Sequence, residues 1–219
     1  MAVPTGILFD FDYTLADSSD AVVECVSVAF EKMKLPTVPA DQVRRTIGLS
    51  LPETFRVLSG LDGTDQVEEF RSHFRARSNE IMVDWTRFLP DIPETIRELV
   101  RRGFRLGIVS TKYRFRIRET LGRDGLLDLF EVIVGGDDVS NYKPDPDGLL
   151  IAARQLALNV EQLVYVGDSL TDAETAKRAG MPFVGVTTGC TTREEFAEYQ
   201  PQTVLERLTD LLDYLDCRR

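Results

Sequence analysis

The sequence has no long run of apolar residues, little cysteine and no excess of positive charge. Its 219 residues include three cysteines, one histidine and one tryptophan. The cysteines are odd in number and far apart, so neither a disulfide framework nor a metal-binding cysteine pattern is expected. No segment is long and apolar enough to cross a bilayer, and no signal peptide is visible. These absences favour a protein of the reducing cytoplasm without a membrane partner.

The charge balance excludes a further class of partner. Lysine and arginine number 26 against 36 acidic residues, so the formal net charge is −10. A chain this acidic is not expected to bind nucleic acid or an anionic membrane surface. If it acts on an anionic substrate, it needs a metal ion or a local basic group. Its length and its 43% hydrophobic content suit one large domain, or one domain with a substantial insertion.

Short apolar runs predict the strands of a parallel sheet. They lie at residues 7–9, 106–109, 132–134, 163–166 and 183–186. None alternates between apolar and polar residues, which is typical of strands covered on both faces. Helical patterns separate the runs, and two of these patterns end at Gly103 and Gly180. Strand and helix in alternation predict a doubly wound, Rossmann-like α/β fold. A last outer helix is expected from Leu205, Leu208, Leu212 and Leu215.

One segment interrupts this alternation. Residues 18–88 contain no convincing strand, but they contain three helical patterns, one of which starts at the capping box formed by Ser50 and Glu53. Roughly seventy residues are too many for a single crossover between strands. We therefore expect a small all-helical cap over residues 16–88, inserted into a core formed by residues 1–15 and 89–219.

Polar side chains follow the predicted strands at the points where those strands end. In chain order they are Asp10 and Asp12, Ser110 and Thr111, Lys143, and Asp168 and Asp172. In an open parallel sheet these ends lie at one edge, where ligands bind. Aspartates that converge there form a site of hard oxygen ligands suited to Mg²⁺. A hydroxyl group and a lysine beside the metal would suit a phosphoryl group.

Each of these residues also has a simpler structural explanation when taken alone. The first two aspartates could be a solvated strand end, and Lys143 could be a surface lysine. Ser110 and Thr111 could cap the next helix. Asp168 and Asp172 could cap the helix that contains Ala173. The occurrence of all of them after successive strands favours the catalytic interpretation.

Four motifs resemble, in order, those of the haloacid dehalogenase-like hydrolase superfamily. They are DFDYTLADS, VST, KPDPDG and VGDSLTD. The resemblance covers nearly the whole chain, and it is closest to the branch of phosphoglycolate phosphatase, pyrophosphatase and beta-phosphoglucomutase. The small helical cap of that superfamily is inserted at the same place. Two positions depart from the family pattern, since Tyr13 and Asp91 stand where glycine is usual.

The resemblance implies a role for each candidate residue. Asp10 would be the nucleophile that becomes phosphorylated. Asp12 would protonate the leaving oxygen and then deprotonate the attacking water. Ser110 and the amide of Thr111 would hold the phosphoryl oxygens, while Lys143 would stabilise Asp10 and the developing charge. The implied Mg²⁺ ligands are Asp10, the backbone carbonyl of Asp12 and Asp168, with Asp172 supporting the ion indirectly or through water.

The function implied is that of a magnesium-dependent phosphatase for a small phosphorylated metabolite, with phosphoglycolate as the expected substrate. The cap would close over the site. A sugar-phosphate mutase and a pyrophosphatase of the same fold stay open as alternatives, as does a signalling module phosphorylated on aspartate. Such receiver modules lack an insertion of this size, and a dehalogenase would leave Asp12 and the metal without a role. The sequence distinguishes neither the substrate nor a monomer from a homodimer.

Overall fold

The computed structural model describes residues 4–218 and contains two compact units. One unit extends to Asp17 and resumes at Phe88, and we call it the core unit. The other, Ser18–Arg87, we call the helical unit. Within residues 4–218, no helix has both the length and the apolar character needed to span a membrane.

Strands and helices alternate along the core unit, whereas the helical unit inserted in the chain contains the first four helices of residues 4–218. The strands are β1 (Gly6–Phe9), β2 (Ala16–Asp17), β3 (Arg87–Phe88), β4 (Arg105–Val109), β5 (Val132–Val134), β6 (Leu163–Gly167), β7 (Phe183–Val186) and β8 (Thr203–Leu205). The helices are α1 (Ser19–Lys32), α2 (Ala40–Arg44), α3 (Leu51–Ser59), α4 (Thr64–Trp85), α5 (Ile92–Arg101), α6 (Arg114–Arg123), α7 (Asp147–Gln155), α8 (Leu170–Ala179), α9 (Arg193–Phe196) and α10 (Asp210–Asp216).

The core unit is built on a six-stranded parallel sheet. Its strands lie in the order β5-β4-β1-β6-β7-β8, and each neighbouring pair is parallel. Numbered along the chain, this order is 3-2-1-4-5-6, the arrangement of a doubly wound Rossmann-like sheet. The order reverses between β1 and β6, and ligands bind at such a reversal in folds of this kind. The predicted α/β fold is confirmed.

The sheet is covered on both faces, which explains its unbroken apolar strands. Ile7 and Phe9 pack on one side in a cluster with Ile96 of α5. Leu8, between them, packs on the other side in a cluster with Leu149 of α7. Successive side chains of a strand point to opposite faces, so a strand buried on both faces is apolar at nearly every position.

The C-terminal segment differs from the sequence prediction. Leu205 lies in β8, where it pairs with Val186 of β7, and the last helix begins only at Asp210. Leu208 lies between the two elements and is buried. The leucine spacing matches a helix, but Leu205 is part of a strand because it pairs with β7. Three residues are too few for periodicity to separate the two structures.

The helical unit has its own core of aromatic side chains. The rings of Phe55 and Phe70 lie 5.1 Å apart between centroids. The predicted capping box opens α3, because Ser50 Oγ accepts the N–H of Glu53 and the Glu53 carboxylate accepts the N–H of Ser50. The sequence did not indicate α2, which is only one turn and a half long.

Gly107 in β4 marks a close approach between side chains of the sheet. A Cβ atom there would overlap Val132 Cγ1 and lie 2.7 Å from Leu8 Cδ2. We expect Gly107→Ala to lower the free energy of unfolding by about 1–3 kcal/mol, because overpacking displaces its neighbours. Gly122→Ala in α6 is the matched control, since open space surrounds its Cβ position. The control should gain about 0.5–1 kcal/mol from helix propensity. Urea unfolding measures both, and unchanged stability of Gly107→Ala would contradict the packing described.

Candidate active site

Asp10 is the first residue after β1, and it is only 1% exposed. Its N–H donates to the carbonyl of Val166 in β6 at 2.9 Å, which fixes it at the reversal of strand order. Its Oδ1 lies 3.1 Å from Lys143 Nζ. Even so, this oxygen accepts no well-directed hydrogen bond from residues 4–218. A buried carboxylate oxygen in this state can accept a further positively charged partner.

Lys143 is held by three groups. Its Nζ lies 2.6 Å from Asp172 Oδ1 and donates to the Tyr165 hydroxyl at 3.2 Å, in addition to its contact with Asp10. The Tyr165 hydroxyl is itself 2.8 Å from Asp172 Oδ1 and 3.0 Å from the Val109 carbonyl. Burial alone would lower the pKa of Lys143, but the charges of Asp10 and Asp172 outweigh it and raise that pKa. Lys143 is therefore an ammonium group.

Asp172 is fully buried at the start of α8 and is saturated with partners. Its Oδ2 accepts the N–H and the hydroxyl of Ser169 at 3.1 and 2.6 Å, and Ser169 Oγ accepts the Asp172 N–H. This pair is a capping box. The structural explanation given above for Asp172 is therefore true, but it is incomplete. The other oxygen of the same carboxylate fixes the position of Lys143.

Asp168 directly follows β6, on the opposite side of the strand reversal from Asp10. It is 5% exposed, and its Oδ1 accepts a hydrogen bond from Thr14 Oγ1 at 3.1 Å. The loop after β7 approaches so closely that a Cβ atom on Gly189 would collide with Asp168 Oδ2. Burial, together with the charges of Asp172 and Asp10, raises the pKa of Asp168 well above its usual range. This carboxylate lacks sufficient positive charge nearby.

The same deficit applies to Asp10 and indicates a cation site. Burial raises the pKa of Asp10 to about 6, against the lowering effects of Lys143 and of a hydrogen bond from Ser110. Single carboxylate oxygens of Asp10, Asp168 and Asp172 lie within 4.8 Å of one another. Hard oxygen donors at this spacing fit a divalent cation. Because Asp172 is already saturated, Asp10 and Asp168 are the better ligands.

Asp12 pairs with a different lysine. Lys112 Nζ is 3.0 Å from both Asp12 carboxylate oxygens, and the two side chains are only 8% and 12% exposed. The same ammonium lies 5.8 Å from the ring centroid of Phe11. Asp10 and Asp12 therefore form ion pairs with different lysines, although they are only two residues apart.

Ser110 and Thr111 follow β4 directly. Ser110 is buried, and its N–H donates to the Val134 carbonyl at 3.0 Å. Neither residue caps α6, whose N-cap position is Tyr113. The structure thus brings Ser110, Lys143 and the aspartates after β1 and β6 to one edge of the sheet.

Sequence reasoning missed four residues of this site. They are Thr14, Lys112, Tyr165 and Gly189. Lys112 directly follows the Ser110-Thr111 pair, and Tyr165 is the only polar residue of an otherwise apolar strand. Gly189 lies in the loop after the fifth predicted strand, but a search for polar side chains after each strand does not reveal a glycine. No comparable signal exists for Thr14, whose contact with Asp168 spans 154 residues.

Comparison with known proteins adds the family. Residues 7–186 match the family model described as haloacid dehalogenase-like hydrolase. The chain belongs to this family. This haloacid dehalogenase-like hydrolase is 32% identical over 209 residues to the pyrophosphatase PpaX of Listeria monocytogenes, and the match covers 95% of the chain and 94% of the relative. It is 30% identical to a phosphoglycolate phosphatase of Shigella boydii, over 96% and 92% of the two chains.

Solved structures agree with this assignment. A protein from Bacteroides fragilis described as a haloacid dehalogenase-like hydrolase superimposes with a TM-score of 0.93 at 43% identity. The match covers 95% of the present chain and 99% of the other. The predicted hydrolase activity and the predicted family, with its phosphoglycolate phosphatase-like branch, are confirmed.

The Tyr165 hydroxyl should stabilise the site through its hydrogen bonds, in addition to the packing of the Tyr165 ring. We expect Tyr165→Phe to lower the free energy of unfolding by about 1–3 kcal/mol, because Asp172 and Lys143 each lose a buried hydrogen-bond partner. Tyr199→Phe, at a partly exposed tyrosine of the same unit, should change it by less than about 0.5 kcal/mol. Chemical denaturation of both variants measures the difference, and equal values would remove Tyr165 from the network.

Proposed function

We propose that this hydrolase is a magnesium-dependent phosphatase that cleaves a small organic phosphate through an aspartyl-phosphate on Asp10. The observation that carries the proposal is the position of Asp10, buried at the strand reversal within 3.1 Å of the Lys143 ammonium. The Asp168 and Asp172 carboxylates adjoin it. A nucleophilic carboxylate held beside a fixed cation and a candidate metal site suits phosphoryl transfer.

In the proposed reaction, a carboxylate oxygen of Asp10 attacks phosphorus, and the bond from phosphorus to the leaving oxygen breaks. With a pKa of about 6, Asp10 is ionised at neutral pH. Lys143 holds the attacking carboxylate in place and offsets charge on the phosphoryl group. Ser110 and the amide of Thr111 would bind the phosphoryl oxygens. The hydrogen bond from Ser110 to Asp10, and the position of Thr111 next to Ser110 after β4, support this role.

Asp12 would transfer the protons. It gives a proton to the leaving oxygen in the first half of the reaction. In the second half it takes a proton from the water that attacks the phosphorus of the aspartyl-phosphate, which releases inorganic phosphate and restores Asp10. Asp12 contacts Lys112, whereas Asp10 contacts Lys143, so the two carboxylates have different surroundings.

Mg²⁺ would be held by Asp10, the backbone carbonyl of Asp12 and Asp168, with Asp172 acting indirectly through Lys143. When bound, the ion would offset the negative charge of the carboxylates and of the phosphoryl group. Four donor groups lie within hydrogen-bond distance of the Asp172 carboxylate, which is therefore poorly suited to direct ligation.

The named relatives suggest the substrate class. One acts on phosphoglycolate and another on pyrophosphate, so we propose a small phosphorylated metabolite, with phosphoglycolate first and pyrophosphate second. The proposed compartment is the cytoplasm, where the three free cysteines would stay reduced. A phosphomutase would instead interconvert sugar phosphates, and a signalling module would retain its phosphoryl group.

The experiment measures phosphate release from phosphoglycolate, pyrophosphate and p-nitrophenyl phosphate, with Mg²⁺ and with a chelator. We expect turnover that needs Mg²⁺ and that falls by about 10⁴-fold or more in Asp10→Asn, as for loss of a covalent nucleophile. Asp128→Asn, at an exposed aspartate of the core unit, is the control and should keep wild-type activity. Magnesium-dependent turnover retained by Asp10→Asn would refute the nucleophile, and a stable phosphoaspartate without turnover would indicate the signalling module.

The raised pKa values predict how metal affinity depends on pH. Protons compete with a cation for Asp10, whose pKa is about 6, and for Asp168, whose pKa burial also raises well above its usual range. Affinity for Mg²⁺ should therefore rise as pH increases through 6, with on the order of one proton released per ion at low pH. Titration calorimetry at pH 5.5 and 7.5, in buffers of different ionisation enthalpy, measures both quantities. Affinity independent of pH would contradict the assignment, and Asp168→Asn should bind weakly at both values.

A further inference from the structure

Lys112 forms a largely buried ion pair that the proposed reaction does not use. Its Nζ is 3.0 Å from each oxygen of Asp12, and its side chain is 8% exposed. The aromatic face of Phe11, itself fully buried, lies on the same ammonium. A lysine in this setting is more than a solvated charge on the surface.

The contact with Lys112 conflicts with the proton transfer proposed for Asp12. To serve the leaving oxygen, the Asp12 carboxyl has to present one of its oxygens to it, and both oxygens now face Lys112 Nζ. Using either one weakens the ion pair. A largely buried ammonium that loses part of its partner is destabilised unless another anion replaces it. The core unit would therefore react most readily with a substrate that brings such an anion.

We propose that Lys112 determines specificity by binding a second anionic group on the leaving group of the substrate. This inference rests on the proposed phosphatase function. On binding, the ammonium exchanges part of its contact with Asp12 for the substrate anion, and Asp12 is released to serve the leaving oxygen. The substrate class is a phosphate ester or anhydride whose leaving group carries a carboxylate or phosphate within two bonds of the leaving oxygen.

The distances permit this exchange. A leaving oxygen in hydrogen-bond contact with Asp12 lies about 3 Å from the carboxylate. Lys112 Nζ in turn lies 3.0 Å from Oδ1 of the same Asp12 carboxylate. The ammonium is thus within roughly 6 Å of the leaving oxygen. An anion one or two bonds beyond that oxygen can bridge the gap. Both phosphoglycolate and pyrophosphate carry one there, whereas a neutral alcohol leaving group has none.

The test compares phosphoglycolate with 2-hydroxyethyl phosphate, which has the same length but a neutral leaving group. In the wild type, kcat/KM should be at least roughly tenfold higher for phosphoglycolate, as expected for one hydrogen bond to a charged group. Lys112→Met should lower kcat/KM roughly 10- to 100-fold more for phosphoglycolate than for the neutral ester. Pyrophosphate should behave like phosphoglycolate. Lys112→Arg should keep most of the preference, and Lys177→Met, at an exposed lysine, should keep all of it.

Equal losses on both esters in Lys112→Met would overturn the inference, because a merely structural role affects them alike. Equal wild-type efficiencies on the two esters would overturn it too, without any variant and whether or not Lys112→Met folds. A wild type that cleaves p-nitrophenyl phosphate with Mg²⁺ but neither anionic substrate would reject the inference and leave the phosphatase standing. Failure of the proposed function would instead be seen as turnover that survives Asp10→Asn.

Discussion

A single ammonium group, that of Lys143, has to balance several buried carboxylates at one edge of the sheet. It contacts Asp10 and Asp172 directly, and Asp168 adjoins them. Burial, together with the charges that these carboxylates exert on one another, raises the pKa values of Asp10 and Asp168, and the one positive charge of Lys143 does not reverse this. An arrangement with this surplus of negative charge is unfavourable by itself, and either a proton or a bound cation relieves it. The cluster of buried carboxylates is therefore suited to a cation.

Features that the fold needs in any case also position the carboxylates of the site. The strand reversal brings the ends of β1 and β6 together, and so it places Asp10 beside Asp168. The capping box that begins α8 also orients Asp172 toward Lys143. One carboxylate thus serves the helix and the site, so a loss of function on its substitution would not separate the two roles.

The sheet was predictable because each strand is buried on both faces and leaves an unbroken apolar run. The candidate residues were predictable because they follow those runs. Leu205 was misassigned because its strand exists only by pairing with β7. Tyr13 and Asp91, the two departures from the family's glycines, both have positive φ, 59° and 63°. A positive φ explains why glycine is usual at these two positions. The sequence alone does not reveal this backbone conformation, because neither tyrosine nor aspartate requires it.

The two aspartates after β1 are neighbours in sequence, but they differ in their surroundings. Asp10 is fully enclosed with Lys143, whereas Asp12 is partly exposed and pairs with Lys112. Residues i and i+2 of an extended chain face the same side, so two adjacent carboxylates would repel each other without separate cations. A separate lysine beside each carboxylate reduces that repulsion. It also leaves Asp12 with a partner that a substrate can replace, which the enclosed Asp10 pair does not offer.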